Sequence, residues 1–401
     1  MPWTEETRMS SRRQFVDAVL AGAETISEQC RRFGISRKTG YKWLTRYQAL
    51  GDAGLEDASR RPRRCRSRTP TKVEARAVSV REKHPAWGGR KIHAVLHREG
   101  CKPLPAPSTI TGILRRHGLI DPEESRKHRP SQRFEREAPN QLWQMDFKGH
   151  FPVDGGRCHP LTMLDDHSRF LLRLVACAHE SRRAVERWLR SVFGQYGLPE
   201  AMLMDKGSPW GQGADHPYTR LTMWLMRLGV RVIHSRPYHP QTQGKEERLH
   251  RTLAAELLSR TSAQSLEEWQ HHFDRWRSVY NHERPHEALG MDVPASRYQP
   301  SSRAFPDELL PIEYPSEDPV RKADKDGKLY FRNQVFRIGR GFVGQRVGLR
   351  PTPIDGVFDV YFCRQRIKQL DLRLYYLCPR TSVTHVFGPY SSLCCVSVPP
   401  I

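Results

Sequence analysis

The chain has 401 residues, with 66 Lys and Arg against 44 Asp and Glu, and a formal net charge of +22 at pH 7. Hydrophobic residues make up 37%, including nine Trp and fifteen Phe, which excludes a disordered or collagen-like chain and allows several small cores. A charge excess of this size favours a polyanionic partner, nucleic acid ahead of an anionic membrane surface.

No apolar stretch approaches the roughly 20 residues of a membrane span, and the first 25 residues hold no secretory apolar segment. The nine cysteines show neither a C-x-x-C pair nor zinc-finger spacing. A cytoplasmic protein with reduced thiols and no membrane partner is therefore expected. Residues 1–140 carry 30 basic and 16 acidic side chains, so most of the excess lies in the first third of the chain. That skew predicts a binding region ahead of a more neutral body.

Residues 1–58 read as three short helices. Phe15, Val16, Ala18 and Val19 form an apolar stripe on the first. The string Phe33-Gly34-Ile35-Ser36-Arg37-Lys38-Thr39 has the break and cap that join two helices of a helix-turn-helix. In the last helix Tyr41, Trp43, Leu44 and Tyr47 are expected to pack inward, leaving Arg37, Lys38, Lys42 and Arg46 to meet DNA. Residues 59–70 form an arginine-rich linker, in which Arg61, Arg63, Arg64, Arg66 and Arg68 are suited to tracking a phosphate backbone. A second helix-turn-helix-like unit follows over 71–120, with Arg90, Lys91, Arg115 and Arg116 as its candidate DNA contacts. Residues 121–138 read as a further linker.

Over 139–300 strands and helices alternate, which predicts a mixed α/β sheet flanked by helices. Strands are expected at Gln141–Phe151, His159–Asp165, Phe170–Ala176, Ala201–Met204 and Val230–Ile233. Helices are expected near 182–196, 218–228, from 244 onward, and over 266–280. Asp146 lies within the first strand, Asp205 at the end of an apolar strand, and Glu247 in the first turn of a helix. A carboxylate in an apolar strand is costly unless it is paired or binds a cation. Each acid alone reads as a turn residue or a solvated helix charge. Together they suit an oxygen cage for Mg²⁺ or Mn²⁺, two of which perform phosphodiester chemistry when about 3.5–4 Å apart. Asp165 and Asp166, between the second and third strands, are rival carboxylates that read as turn acids.

The strings Trp143-Gln144-Met145-Asp146-Phe147, Asp205-Lys206-Gly207-Ser208 and Ser235–Arg248 resemble the integrase core of bacterial insertion-sequence transposases, as does the closing segment Tyr280–His286. That family resembles retroviral integrases, with a ribonuclease-H-like fold and an Asp-Asp-Glu metal triad. The resemblance implies that Asp146, Asp205 and Glu247 are catalytic and hold two Mg²⁺ or Mn²⁺ ions. Glu247 is preferred because the family pattern places an Arg directly after the catalytic acid, whereas the position of Glu246 is commonly apolar. Adjacent helix residues point about 100° apart, so only one of the two is expected to face the sheet. His239, Gln243, Lys245, Arg248 and Arg251, around this helix start, would suit DNA phosphates. Lys206 stands where the family commonly has Asn.

Residues 320–371 show β-like alternation, from Lys328–Ile338 onward, and predict a small β-barrel; residues 372–401 read as a tail. The implied function is a transposase that binds double-stranded DNA at the terminal inverted repeats of an element and at its target. It would cut and join DNA with divalent metal, as a homodimer or larger assembly. The alternatives are a DNA-binding derivative with a silent core, acting as a repressor or inhibitor of transposition, and a nuclease that hydrolyses without joining.

Overall fold

The computed structural model describes residues 8–57, 69–120, 135–211, 218–235, 244–309 and 311–375. Arg61, Arg63, Arg64, Arg66, Arg68, His239 and Gln243 lie outside these residues, as does most of 372–401. The chain divides into two compact units, Met1–Arg68 and Thr69–Ile401.

In the first unit, α1 (Arg8–Leu20), α2 (Ile26–Arg32) and α3 (Arg37–Leu50) surround Phe15, Val16, Cys30, Trp43 and Leu55. Thr25 and Glu28 close a capping box on α2, and the Ser36 hydroxyl accepts the Thr39 N–H at the start of α3. Gly34, at φ +65°, supplies the left-handed turn between them. Gly40 is required for a different reason. A Cβ there would lie 2.5 Å from the Cys30 sulfur, so α2 and α3 touch only without one. Tyr41 departs from expectation: it is 54% exposed, because α3 turns it away from the small core that Trp43 fills.

The second unit begins with α4 (Thr71–Lys83), α5 (Gly89–Arg98) and α6 (Pro107–Arg116), packed on Ala77, Val80, Trp87, Ile92, Leu96, Ile110 and Leu114. Its sheet is mixed. β3 (Gly156–Asp165) pairs antiparallel with both β1 (Trp143–Phe147) and β4 (Leu171–Cys177). β5 (Ala201–Met204) then pairs parallel with β1, and β6 (Arg231–His234) parallel with β5. The segment expected as one strand to Phe151 breaks after Phe147, and β2 (Phe151–Val153) forms a separate short hairpin with β3.

One face of this sheet packs Trp143, Met145, Leu161 and Met163 against α7 (Arg182–Tyr196) and α8 (Arg220–Arg227). The other face packs Leu164, Leu171 and Leu174 against α9 (Gly244–Leu253) and α10 (Leu266–His282). Helices on both faces of three antiparallel strands followed by two parallel ones make the ribonuclease-H-like arrangement.

At the C-terminus, β7 (Val320–Lys322), β10 (Arg346–Pro351), β11 (Val357–Phe362) and β12 (Gln365–Asp371) form a four-stranded antiparallel sheet. The stretch 328–338 is a two-stranded hairpin, β8 (Lys328–Phe331) and β9 (Gln334–Arg337), rather than one strand. Arg332 and Asn333 turn it through positive φ. In place of the expected barrel there are two small antiparallel sheets sharing the core of Leu329, Phe342, Val347, Leu349, Val360 and Phe362. Gln365 ties this region to the central sheet, its side chain bonding both the N–H and the carbonyl of Val232 on β6. Among the described residues no helix is long and apolar enough to cross a membrane.

Candidate active site

Strand alternation sets the site. With Trp143 and Met145 committed to the α7 face, Gln144 and Asp146 fall on the α9 face. Asp146 pairs in register with Thr162, whose hydroxyl donates to the Asp146 carbonyl at 3.0 Å. On the other side of β1, Gln144 pairs with Leu203 of β5, so Asp205, the residue after β5, is level with Asp146. The Gly207 N–H donates to Asp205 at 3.0 Å and fixes the turn, while Phe147 stacks on Trp210 beyond it.

Burial and neighbouring charge disturb both aspartates. Burial, and then the charge of Asp205, push the Asp146 carboxyl up to about 7. Burial also raises Asp205, against the pull of the Gly207 N–H and His234. Glu180, bonded to His159 at 2.9 Å, adds negative charge that raises both. Desolvated carboxylates raised by burial and neighbouring negative charge are what a hard divalent cation relieves, and an all-oxygen donor set suits Mg²⁺ or Mn²⁺. The residues therefore fit such an ion. Among the described residues, however, no three His, Cys, Asp or Glu side chains are gathered closely enough to enclose one.

The expectation that Glu247 faces the sheet is reversed. Glu246 does so, with 1% exposure, its Oε2 hydrogen-bonded to the Thr162 hydroxyl at 2.9 Å and its Oε1 buried without a partner. Burial and the charge of Asp146 raise its pKa far above the carboxylate range. His250, one turn on, meets the same Thr162 hydroxyl and is held down at about 4 by burial, so its imidazole is neutral. Glu247 points to solvent, 67% exposed, and pairs with Arg251 at 3.4 Å. The cause is helical phase: Leu249 and Leu253 must face the sheet, and they carry Glu246 and His250 round with them.

The predicted DNA contacts divide. Arg37, Lys38 and Lys42 are exposed on α3, whereas Arg46 bonds the Glu56 carbonyl and lies over the Trp43 ring. Arg115 is exposed, and Arg116 pairs with Glu74 at 2.9 Å. Arg90 pairs with Glu287 of the core, and Lys91 is pushed down to about 8, chiefly by burial. Lys245 is also engaged, meeting Asp166 at 2.5 Å with 17% of its side chain exposed. Arg248 and Arg251 remain on the exposed face of α9 beside Glu247. Lys206 makes no ion pair among the described residues.

Asp165 acts as the turn acid expected, accepting from the N–H groups of Asn140 and Ser168 at 2.8 Å. Asp166 does more than its sequence position signals. Buried at 4% exposure, it joins the segment before β1, β1 itself and α9. Its proximity to Lys245, far away in the chain, has no sequence signature.

Comparison with known proteins agrees with this architecture. Residues 136–240 and 228–294 match the integrase core domain, and residues 318–375 match the IS481 family transposase C-terminal domain. Residues 11–63 match a helix-turn-helix domain and 39–114 a homeodomain-like domain. The chain is 27% identical over 241 residues to the insertion element IS407 uncharacterized 31.7 kDa protein of Burkholderia multivorans, covering 59% of this chain and 83% of that one. It is 25% identical over 296 residues to the insertion element IS476 uncharacterized 39.2 kDa protein of Xanthomonas euvesicatoria, covering 71% and 82%. A structure of the HTLV-2 integrase catalytic core domain in complex with magnesium is 12% identical, covers 41% of this chain and 99% of that one, and has a TM-score of 0.32. The chain thus carries helix-turn-helix domains ahead of an integrase core and an IS481-type transposase C-terminal domain behind it, and its relatives are insertion-element proteins.

Proposed function

We propose that this chain is an active DNA transposase, which binds the terminal inverted repeats of an insertion sequence, cuts at them and joins the freed ends to target DNA. The single observation that carries the reading is the level placement of Asp146 and Asp205 on adjacent strands, each pushed upward by burial and Asp146 further by Asp205. Asp146, Asp205 and Glu247 would hold the divalent ions, two per site. An ion that also meets DNA must lie at an accessible edge. Glu247 is open to solvent, while Glu246 is enclosed behind Thr162 and α9. The ions, when bound, supply Lewis-acid stabilisation of charge on the reacting phosphate.

The chain's own groups do the rest. The Gly207 N–H orients Asp205, and Thr162 ties Asp146 to the Glu246–His250 pair beneath it. Arg248 and Arg251, exposed on α9, are placed to meet phosphate. In strand transfer the 3′-hydroxyl attacks a target phosphodiester, one P–O bond forming as another breaks, so no external energy source is needed. Joining two ends implies a homodimer or larger assembly on DNA, working in the cytoplasm.

The test uses labelled oligonucleotides from the DNA flanking the reading frame, incubated with the full chain and Mn²⁺. Nicked and joined products are expected. Asp146→Asn, Asp205→Asn and Glu247→Gln should each lower strand transfer by about 1,000-fold or more, with end binding retained. Glu246→Gln, which resembles the neutral buried acid, should keep activity within about tenfold. Full activity in Glu247→Gln with loss in Glu246→Gln would move the third ligand to Glu246. End binding without any metal-dependent product would make the chain a repressor.

A further inference from the structure

The first turn of α9 carries the third carboxylate, yet its axial position and rotation are fixed by side chains from elsewhere in the fold. Asp166, in the turn after β3, is the hub. Its Oδ1 accepts from the Gln144 amide at 2.7 Å, and Gln144 stands two residues before Asp146 on the same face of β1. Its Oδ2 accepts from the Arg136 N–H at 2.9 Å and meets the Lys245 ammonium at 2.5 Å. Lys245 also donates to the Asp166 carbonyl at 3.3 Å, so both the side chain and the backbone of the turn hold it. Asp166 is fixed in turn by its own N–H, which donates to the Leu142 carbonyl at 2.9 Å. One carboxylate thus connects the strand of the first catalytic aspartate to the helix of the third acid.

Helix geometry makes this consequential. At about 100° per residue, a lysine anchored inward at 245 and a glutamate anchored on Thr162 at 246 together fix the direction of residue 247. Released from the first anchor, the terminal turn of a helix frays readily, because its N–H groups have no intrahelical partners. Arg169, 7% exposed, is a second cation near Lys245 but is paired with Glu135 at 3.3 Å, so it does not replace Lys245 at Asp166.

We propose that the Asp166–Lys245 ion pair is a positioning device that sets the phase of α9 and so holds Glu247 at the solvent-open edge, where ions bound by Asp146 and Asp205 would meet DNA. Lys245 then acts inside the protein and is not a DNA contact. The inference rests on the catalytic reading above.

The test compares the full wild-type chain with Lys245→Gln, Lys245→Arg, Asp166→Asn and the double variant Asp166→Asn/Lys245→Gln. The readouts are Mn²⁺ affinity without DNA, amide hydrogen exchange over residues 244–250, and strand transfer resolved into kcat and KM for DNA. Loss of a residue that orients a metal ligand typically costs about 10–100-fold in metal affinity or activity. That loss is expected in Lys245→Gln and Asp166→Asn, with faster exchange at the start of α9 and an unchanged KM for DNA. The double variant should be no worse than either single one, and Lys245→Arg should restore most of the affinity. Should buried Asp166→Asn fail to fold, the partly exposed Lys245→Gln decides alone. Unchanged Mn²⁺ affinity and exchange in Lys245→Gln would overturn the proposal. So would a raised KM with a shallower salt dependence, which would mark Lys245 as a phosphate contact. Wild-type protein with no Mn²⁺ affinity would overturn the catalytic reading instead, while the exchange data would still decide whether the pair holds the helix.

Discussion

Helix α3 keeps Arg37, Lys38 and Lys42 exposed and free of ion pairs among the described residues. Helix α5 and its flanks commit theirs to the integrase core. Lys83 meets Glu283 at 3.2 Å, Arg98 donates to the Glu283 carbonyl at 2.8 Å, and Arg90 pairs with Glu287. Lys91 is half-buried beside Arg284, Glu256 and Glu287, and Val279 of α10 packs against the apolar core of these helices. Two basic helical regions of similar composition thus have different partners, one open to a polyanion and one satisfied within the chain. A cluster of cations predicts phosphate binding only after the acids that fold back onto it have been counted.

The largest effect that would separate the two regions is on DNA affinity. Replacing Arg37, Lys38 and Lys42 together by Ala should weaken binding to element-end DNA by on the order of 100-fold at moderate salt. It should also lower the slope of log K against log salt by about 3. The pair Arg90→Ala and Lys91→Ala should leave that slope unchanged. Titrations at several salt concentrations check both. An equal loss of slope in the second pair would mean that α5 leaves the core when DNA arrives, and the contrast between the regions would fail.

The sequence made this contrast only half legible. Ser36, Gly34 and the α3 stripe announce a helix-turn-helix because capping and turn chemistry are local. The placement of Asp146 and Asp205 is legible for a similar reason, since one lies within an apolar strand and the other just past the end of one. The acids that receive Arg90 and Lys83 lie almost 200 residues further along, and no spacing rule links them. Which of Glu246 and Glu247 faces the sheet was misread on finer grounds. Both occupy the first turn of one helix, and its phase is set by Leu249, Leu253 and the Lys245–Asp166 pair, which belong to the packed fold.

A smaller effect, on stability, sharpens the comparison through Lys91. The folded state holds this amine at about 8, against about 10.4 in an unfolded chain. Between those values the unfolded state binds more protons, so stability rises as pH climbs from about 8 to 10. Below pH 8 both states are protonated and the burial penalty is fully present, of order 3 kcal/mol at most. Lys91→Met should therefore raise stability at pH 7 and flatten this part of the pH profile, as denaturant melts at pH 7, 8.5 and 10 will measure.

The smallest effect concerns the ion pairs that dock α5 and α4 onto the core. Lys83–Glu283 and Arg90–Glu287 are largely exposed, so each should contribute only about 0.2–1 kcal/mol. Double-mutant cycles with Lys83→Ala, Glu283→Gln, Arg90→Ala and Glu287→Gln should return coupling energies in that range, falling as salt rises. Hydrogen exchange along α5 should quicken in Glu283→Gln/Glu287→Gln while α3 stays unchanged. Zero coupling with unchanged exchange would mean that the Val279 contact and the Arg98 bond hold these helices alone. In that case Lys83 and Arg90 would be as available to phosphate as the cations of α3, and the two regions would differ in packing rather than in charge.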